Sequence, residues 1–342
     1  MVPGVSAQEY DAARREAGLV DRSDYGYIVV SGKDRASYLQ GLLTNDIVAL
    51  GPGQGCYTAY LTAQGRMIAD LWVYELGDVM LLRVLRDVKP TVLSKLDQFI
   101  FSEDVQLGDV TDTFMALAIV GPRSAACLSS ALEIPEETLT RLAEHGNLRA
   151  SFLGQSAIVL RVADLGEPGF DVLIESIAFE PLRAALHRAG GHDIDAITVE
   201  TLRVEAGVPK FHQDMDEETI PLEAGIEGRA ISLTKGCYVG QEVIIRVLHR
   251  GHGRVARKLV GLRKTGDVTF KRGAVVQAAG REIGEVTSAA WSPALQQAIA
   301  LAYVHRDFVA PGTPVTVEGM DAEVAALPFV PAGYGFADQK SP

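Results

Sequence analysis

Beyond Lys258 the apolar runs are short and each is cut by glycine or proline, at Gly266-Asp267, Gly273, Gly280, Gly284 and Pro311-Gly312. A helix needs an unbroken 3.6-residue stripe over ten or more positions, so this stretch reads as short strands joined by tight turns. Sheets of such strands protect their edges by closing on themselves, and the last ~80 residues are expected to form a small β-barrel or jelly roll. A chain of 342 residues carrying such a unit at one end needs at least one further core, since single cores stop growing at about 250 to 300 residues.

Upstream, helical and strand periods follow one another irregularly. A helix is expected over residues 7–17, where Tyr10, Ala13 and Ala17 share a face, and a strand over 27–31. Asp34 stands where the cap of a helix carrying Tyr38, Leu39, Leu42 and Leu43 belongs. Residues 57–62, 67–76 and 79–84 read as a three-strand meander, turned at 63–66 and at Gly77-Asp78. Asp87 and Pro90 open a helix with Val92, Leu93, Leu96, Phe99 and Ile100 on one side. A strand at 114–120 leads to a helix at 124–132, strands at 157–162 and 170–174 follow, and helices at 178–189 and 194–206 close the region. Strict βαβ alternation is missing, so the class is α+β rather than a doubly wound sheet.

Composition removes several functions. With 47% hydrophobic and 22% charged residues, disorder is excluded as the dominant state. A net charge of −12 argues against a protein that coats duplex nucleic acid. No run approaches the 18 to 20 apolar residues of a membrane span, and the N-terminus has neither the apolar core of a signal peptide nor the acid-poor character of a transit peptide, so a cytoplasmic, monomeric protein without membrane contact is expected. The three cysteines, Cys56, Cys127 and Cys237, are far apart and in no CxxC arrangement, which indicates neither a disulfide framework nor a metal site.

The most unusual stretch is Lys235-Gly236-Cys237-Tyr238-Val239-Gly240-Gln241-Glu242. Its glycines let the backbone turn tightly and hold the thiol at a surface, and Lys235 is expected to favour the thiolate, which makes Cys237 a candidate nucleophile, soft ligand or redox-sensitive group. A small buried hydrophobe is the competing reading of a lone cysteine. The basic cluster that follows, Arg246, His249, Arg250, His252, Arg254, Arg257 and Lys258, could attract RNA or another polyanion; a solvated face balancing acidic neighbours is the commoner meaning of such a run.

The Lys235–Glu242 motif resembles the signature of the YgfZ family, folate-binding proteins that assist iron–sulfur enzymes and tRNA modification, itself similar to GcvT, the aminomethyltransferase T-protein of glycine cleavage. The likeness extends to QGLLTND at 40–46, the 57–74 hairpin, LRVEAG at 202–207, DMDEETIPLEAG at 214–225 and IGEVTS at 283–288. It implies a three-domain GcvT-like cloverleaf around a tetrahydrofolate channel, with two interleaved α+β subdomains over residues 1–255 and a C-terminal β-barrel over 256–342. It also implies folate-binding roles for Tyr57, Asp70, Glu167 and Glu205. The chemistry suits: a carboxylate can accept the paired N–H donors of a pterin edge, and a tyrosine ring can cover its face.

Two departures from the T-protein pattern bear on function. T-proteins typically carry two adjacent aspartates where this chain has Ala69-Asp70, and they lack the cysteine signature. Both point to a YgfZ-type assembly factor working with iron–sulfur proteins, with Cys237 as its working group and glycine-cleavage turnover absent or very weak. A tetrahydrofolate-dependent aminomethyltransferase is the alternative, favoured by the T-protein-like segment 214–223, and an RNA-binding accessory factor is a third reading.

Overall fold

The computed structural model describes residues 4–249, 254–264, 266 and 268–333, arranged as an antiparallel sheet and a mixed sheet with their helices and a closed barrel. The first sheet has the strand order Gly55–Leu61, Met67–Glu75, Met80–Leu85, Tyr25–Ser31, Gln106–Asp109, antiparallel throughout. Its meander lies within two residues of the expected one, because the strands are apolar enough to be buried on both faces and Gly77, at φ 99°, makes the tight turn. Helices Arg35–Leu42 and Lys89–Asp97 flank it. Neither expected aspartate caps its helix. Asp34 instead accepts the Asp104 N–H at 2.9 Å, and Asp87 faces His212 Nδ1 at 2.9 Å, so both carboxylates tie separate segments together.

The second sheet runs His192–Asp193, Gly18–Asp21, Phe114–Val120, Gly169–Glu175, Gln155–Val162, Asn147–Phe152. Helices Ser124–Leu132 and Phe179–Arg188 bury Leu128, Leu132, Phe179, Leu182 and Leu186 against it. Three of its strands were not expected from the sequence, the two-residue His192–Asp193 among them. Gly18–Asp21 is too short to show a period, and Asn147–Phe152 is a half-exposed edge with polar residues on one side. The chain enters this sheet at Gly18, leaves for the first sheet at Tyr25 and returns at Phe114, so the two units are interleaved.

Strands Arg257–Lys264, Gln297–His305, Arg281–Ser292, Val275–Ala278, Pro314–Val317 and Met320–Ala325 close into the expected barrel, filled by Leu262, Val276, Val286, Ala300, Val304 and Val317. Barrel and sheets are joined by charge as well as apolar contact. On helix Ala196–Glu205, Arg203 donates to Asp214 and to Ser288 of the barrel, each at 2.7 Å. Arg83 of the first sheet and Arg22 both engage Asp164 and Asp171 of the second, at 2.8 to 3.3 Å.

Candidate functional site

Strand Met67–Glu75 alternates its side chains. Ala69 and Leu71 enter the apolar core, while Asp70 and Trp72 turn to a two-lobed cavity between the sheets, whose lobes also share Asp164, Val208 and Pro209. One lobe runs toward Tyr25 and Phe211, the other toward Tyr57, His145 and Arg229. Asp70 is only 7% exposed and accepts the Tyr57 hydroxyl at 2.8 Å. No ion pair among the described residues engages it. Burial pushes its carboxyl above the ordinary range, against the Tyr57 hydrogen bond and the more distant Arg229 and Arg83.

Aromatic rings form the cavity wall. Tyr57 and Trp72 lie 5.1 Å apart, Tyr25 meets Trp72 edge-on at 5.9 Å, and the Arg83 guanidinium sits 3.7 Å from the Tyr25 ring centroid and 4.5 Å from that of Trp72. This packing fixes the wall, since a cation between two ring faces holds both. The chemistry of this lining suits a flat heterocycle with N–H donors, offering rings for its faces and a buried carboxyl with no cationic partner for its edge. Trp72 was overlooked in the sequence although it stands two residues from Asp70 in a strand, a spacing that puts both on one face.

The other two acids lie together, around a different partner. Glu167 and Glu205 are 1% and 0% exposed and both bind Arg14 of the N-terminal helix Ala7–Arg15, Glu167 at 2.7 Å. Glu205 also accepts from Tyr10, at 2.8 Å, and from Ser292 of the barrel, and Glu167 from the Gly333 N–H at 3.0 Å. This cluster joins the N-terminal helix, helix Ala196–Glu205, the barrel and the described C-terminal segment, and neither acid lines the cavity of Asp70. Arg203, two residues before Glu205 on the same helix, pairs instead with Glu200 and Asp214.

In the glycine-rich motif, Cys237 is exposed and outside that cavity. Lys235 does not serve its thiol: Nζ donates to the carbonyls of Gln40, Leu43 and Asn45 at 2.6, 2.6 and 2.9 Å, closing the end of helix Arg35–Leu42. The thiol that feels the ammonium is Cys56, and burial outweighs that, pushing Cys56 up to about 12. Gly240, at φ 85°, lies where a side chain would strike the Thr62 carbonyl at 2.5 Å, so the motif approaches the turn before Met67 closely, with Gly65 of that turn against Val243; Gly236 stands in open space. One thiol per chain, Cys237, should therefore react quickly with an aromatic disulfide reagent in the native protein, with Cys56 and Cys127 slower by ~10²-fold or more and all three reacting in denaturant. A second fast thiol in the native state would contradict this placement.

Of the basic cluster, Arg250 and His252 lie outside the described residues. Arg246 and His249 sit on helix Gln241–His249, Arg257 pairs with Glu223 at 3.4 Å and Lys258 approaches Glu227 at 3.9 Å. Among the described residues no helix is long and apolar enough to cross a membrane.

A six-stranded barrel set against two interleaved sheet-and-helix units, with a buried carboxyl and aromatic wall between them, defines a three-domain protein of the glycine-cleavage T type. The chain belongs to that family: residues 2–235 match the GCVT N-terminal domain and 257–331 the glycine cleavage T-protein C-terminal barrel domain. An aminomethyltransferase of Nostoc sp. is 33% identical over 321 residues, 91% of this chain and 83% of its own. One from Streptomyces avermitilis is 33% identical over 337 residues, 95% and 90% of the two chains. The crystal structure of glycine cleavage system aminomethyltransferase T from Bartonella henselae matches with a TM-score of 0.86 at 25% identity, over 94% of this chain and 89% of that one.

These relatives overturn the expected role in iron–sulfur cluster assembly and tRNA modification, since curated proteins similar over nine-tenths of the chain are aminomethyltransferases. The fold supplies a physical reason as well. Ala69 is on the core side of its strand, 1% exposed, so the acid missing there leaves the carboxyl in the cavity untouched. The expected cofactor, tetrahydrofolate, is the one this family uses.

Proposed function

We propose that the protein is a tetrahydrofolate-dependent aminomethyltransferase. The observation that carries this reading is Asp70, a buried carboxyl without a cation, set beside Trp72 and Tyr57 in the cavity of a T-protein fold. Bound tetrahydrofolate would supply the nitrogen nucleophile that takes up a one-carbon unit. Asp70 holds the N–H edge of the heterocycle, Tyr57 fixes the carboxyl by its hydroxyl, and Trp72 covers a ring face. The surrounding Val208 and Pro209 keep water away, which strengthens each polar contact inside. Glu167 and Glu205 support this arrangement from outside the cavity, by locking the N-terminal helix to the barrel around Arg14.

The test is turnover. Purified protein given an aminomethyl-loaded carrier and tetrahydrofolate should release ammonia and form methylenetetrahydrofolate, both dependent on the folate. Product formation no faster than in the protein-free mixture would overturn the reading.

A further inference from the structure

His145 is placed with unusual care. It precedes the edge strand Asn147–Phe152 of the second sheet, at φ 60°, a left-handed backbone that costs most residues about 1 kcal/mol and that His, Asn and Asp tolerate better than others. Its carbonyl lies against Gly55 of the first sheet, 2.5 Å from where a Cβ there would stand. Asn147 staples the same loop down, its N–H donating to the Gly53 carbonyl and its amide to that of Gln54, both at 2.9 Å. Two residues beyond Gly55 on that strand is Tyr57.

The imidazole that this construction delivers lines the same lobe as Tyr57, Asp70 and Trp72. Nδ1 is buried and has no hydrogen-bond partner, and Nε2 is 3.6 Å from Glu144, beyond hydrogen-bond range. A buried polar atom without a partner is costly, and a strained backbone holding one at a cavity wall marks a contact to something bound. We propose that His145 is a ligand-contacting residue, whose Nδ1 hydrogen-bonds the polar edge of a reduced pterin lying between Trp72 and Asp70. This rests on the folate reading above. Burial, with Arg229 and Arg83 adding to it against Glu144 and Asp164, holds the ring below its ordinary pKa, so at neutral pH it is uncharged and Nδ1 can accept from an N–H as well as donate.

The full-length protein, titrated calorimetrically with tetrahydrofolate under anaerobic reducing conditions, tests this with two substitutions. His145→Gly removes the ring and relaxes the left-handed backbone, so the ligand-free protein should melt no lower than the wild type. Its Kd should rise ~10-fold, the loss of one buried hydrogen bond. His145→Asn tolerates the same backbone and puts an amide near the position of Nδ1, so its Kd should stay within about threefold of wild type. Wild-type affinity in His145→Gly, with wild-type protein binding normally, would overturn the role of His145 and leave the folate reading standing. Affinity as weak in His145→Asn as in His145→Gly would do the same. Wild-type protein that binds no tetrahydrofolate would overturn both.

Discussion

Asp70→Asn should lower kcat/KM for tetrahydrofolate-dependent transfer by ~10²-fold or more while leaving the protein as stable as before, or more so. The loss follows from its position as the cavity's buried carboxyl without an ion pair, since a positioned acid or base typically contributes 10²- to 10⁴-fold. The stability follows from burial. A carboxyl with one hydrogen bond and no ion pair is held at a cost when ionised, and an amide of the same shape avoids it. The effect has a definite pH signature. Because the folded-state pKa is raised, the unfolded chain gives up this proton first, so Asp70's contribution is fully present below the ordinary carboxylate value near 3.9 and is lost as pH rises through the raised one. The stability of wild type relative to Asp70→Asn should therefore fall over that window and then level off. Asp164 behaves oppositely. Burial would raise its pKa, but Arg22 and Arg83 outweigh that and hold it at about 2, so its contribution is present at neutral pH and is lost as pH falls below about 4. Denaturant melts of both proteins between pH 3 and 8, with transfer assays at neutral pH, measure both effects. Unchanged turnover in Asp70→Asn would remove the carboxyl from the reaction.

The fold was legible where period and punctuation agree. The meander of the first sheet and the glycine-cut strands of the barrel are local patterns, each readable from its own residues. What could not be read is long-range. Gly18–Asp21 is a strand only because Phe114–Val120 and His192–Asp193 lie on either side of it, and nothing in four residues announces that. The site divides the same way. Tyr57 stands opposite Trp72 and Asp70 opposite Ala59 on one hairpin, so Tyr57 and Asp70 are diagonal neighbours whose meeting through the tyrosine hydroxyl is fixed by local strand register. Glu167 and Glu205 share Arg14, 153 and 191 residues away, and His145 reaches the cavity only because Gly55 admits its loop. The weight given to Ala69 failed for a related reason: adjacent residues on a strand face opposite ways, so a change at 69 says little about a cavity lined by 70 and 72.

Arg14→Met should destabilise the protein by about 3 to 5 kcal/mol, because it strips the one cation from two carboxylates that are almost wholly removed from water. The guanidinium serves both acids at once, and Glu205 in turn holds Tyr10 and Ser292, so the substitution loosens the N-terminal helix from the barrel as well as leaving charge uncompensated. The effects should be strongly non-additive. Adding Glu167→Gln and Glu205→Gln to Arg14→Met removes the stranded charges, so the triple variant should be more stable than Arg14→Met alone. A binding role for Glu205 makes a different prediction from a structural one. Glu205→Gln should lower the melting temperature while the folded fraction binds tetrahydrofolate within about threefold of wild type, since Glu205 lies outside the cavity and is engaged by Tyr10, Arg14 and Ser292. A melting curve unchanged from wild type, together with a large loss of affinity, would show instead that Glu205 meets the ligand and that Arg14 merely occupies its place until the ligand arrives.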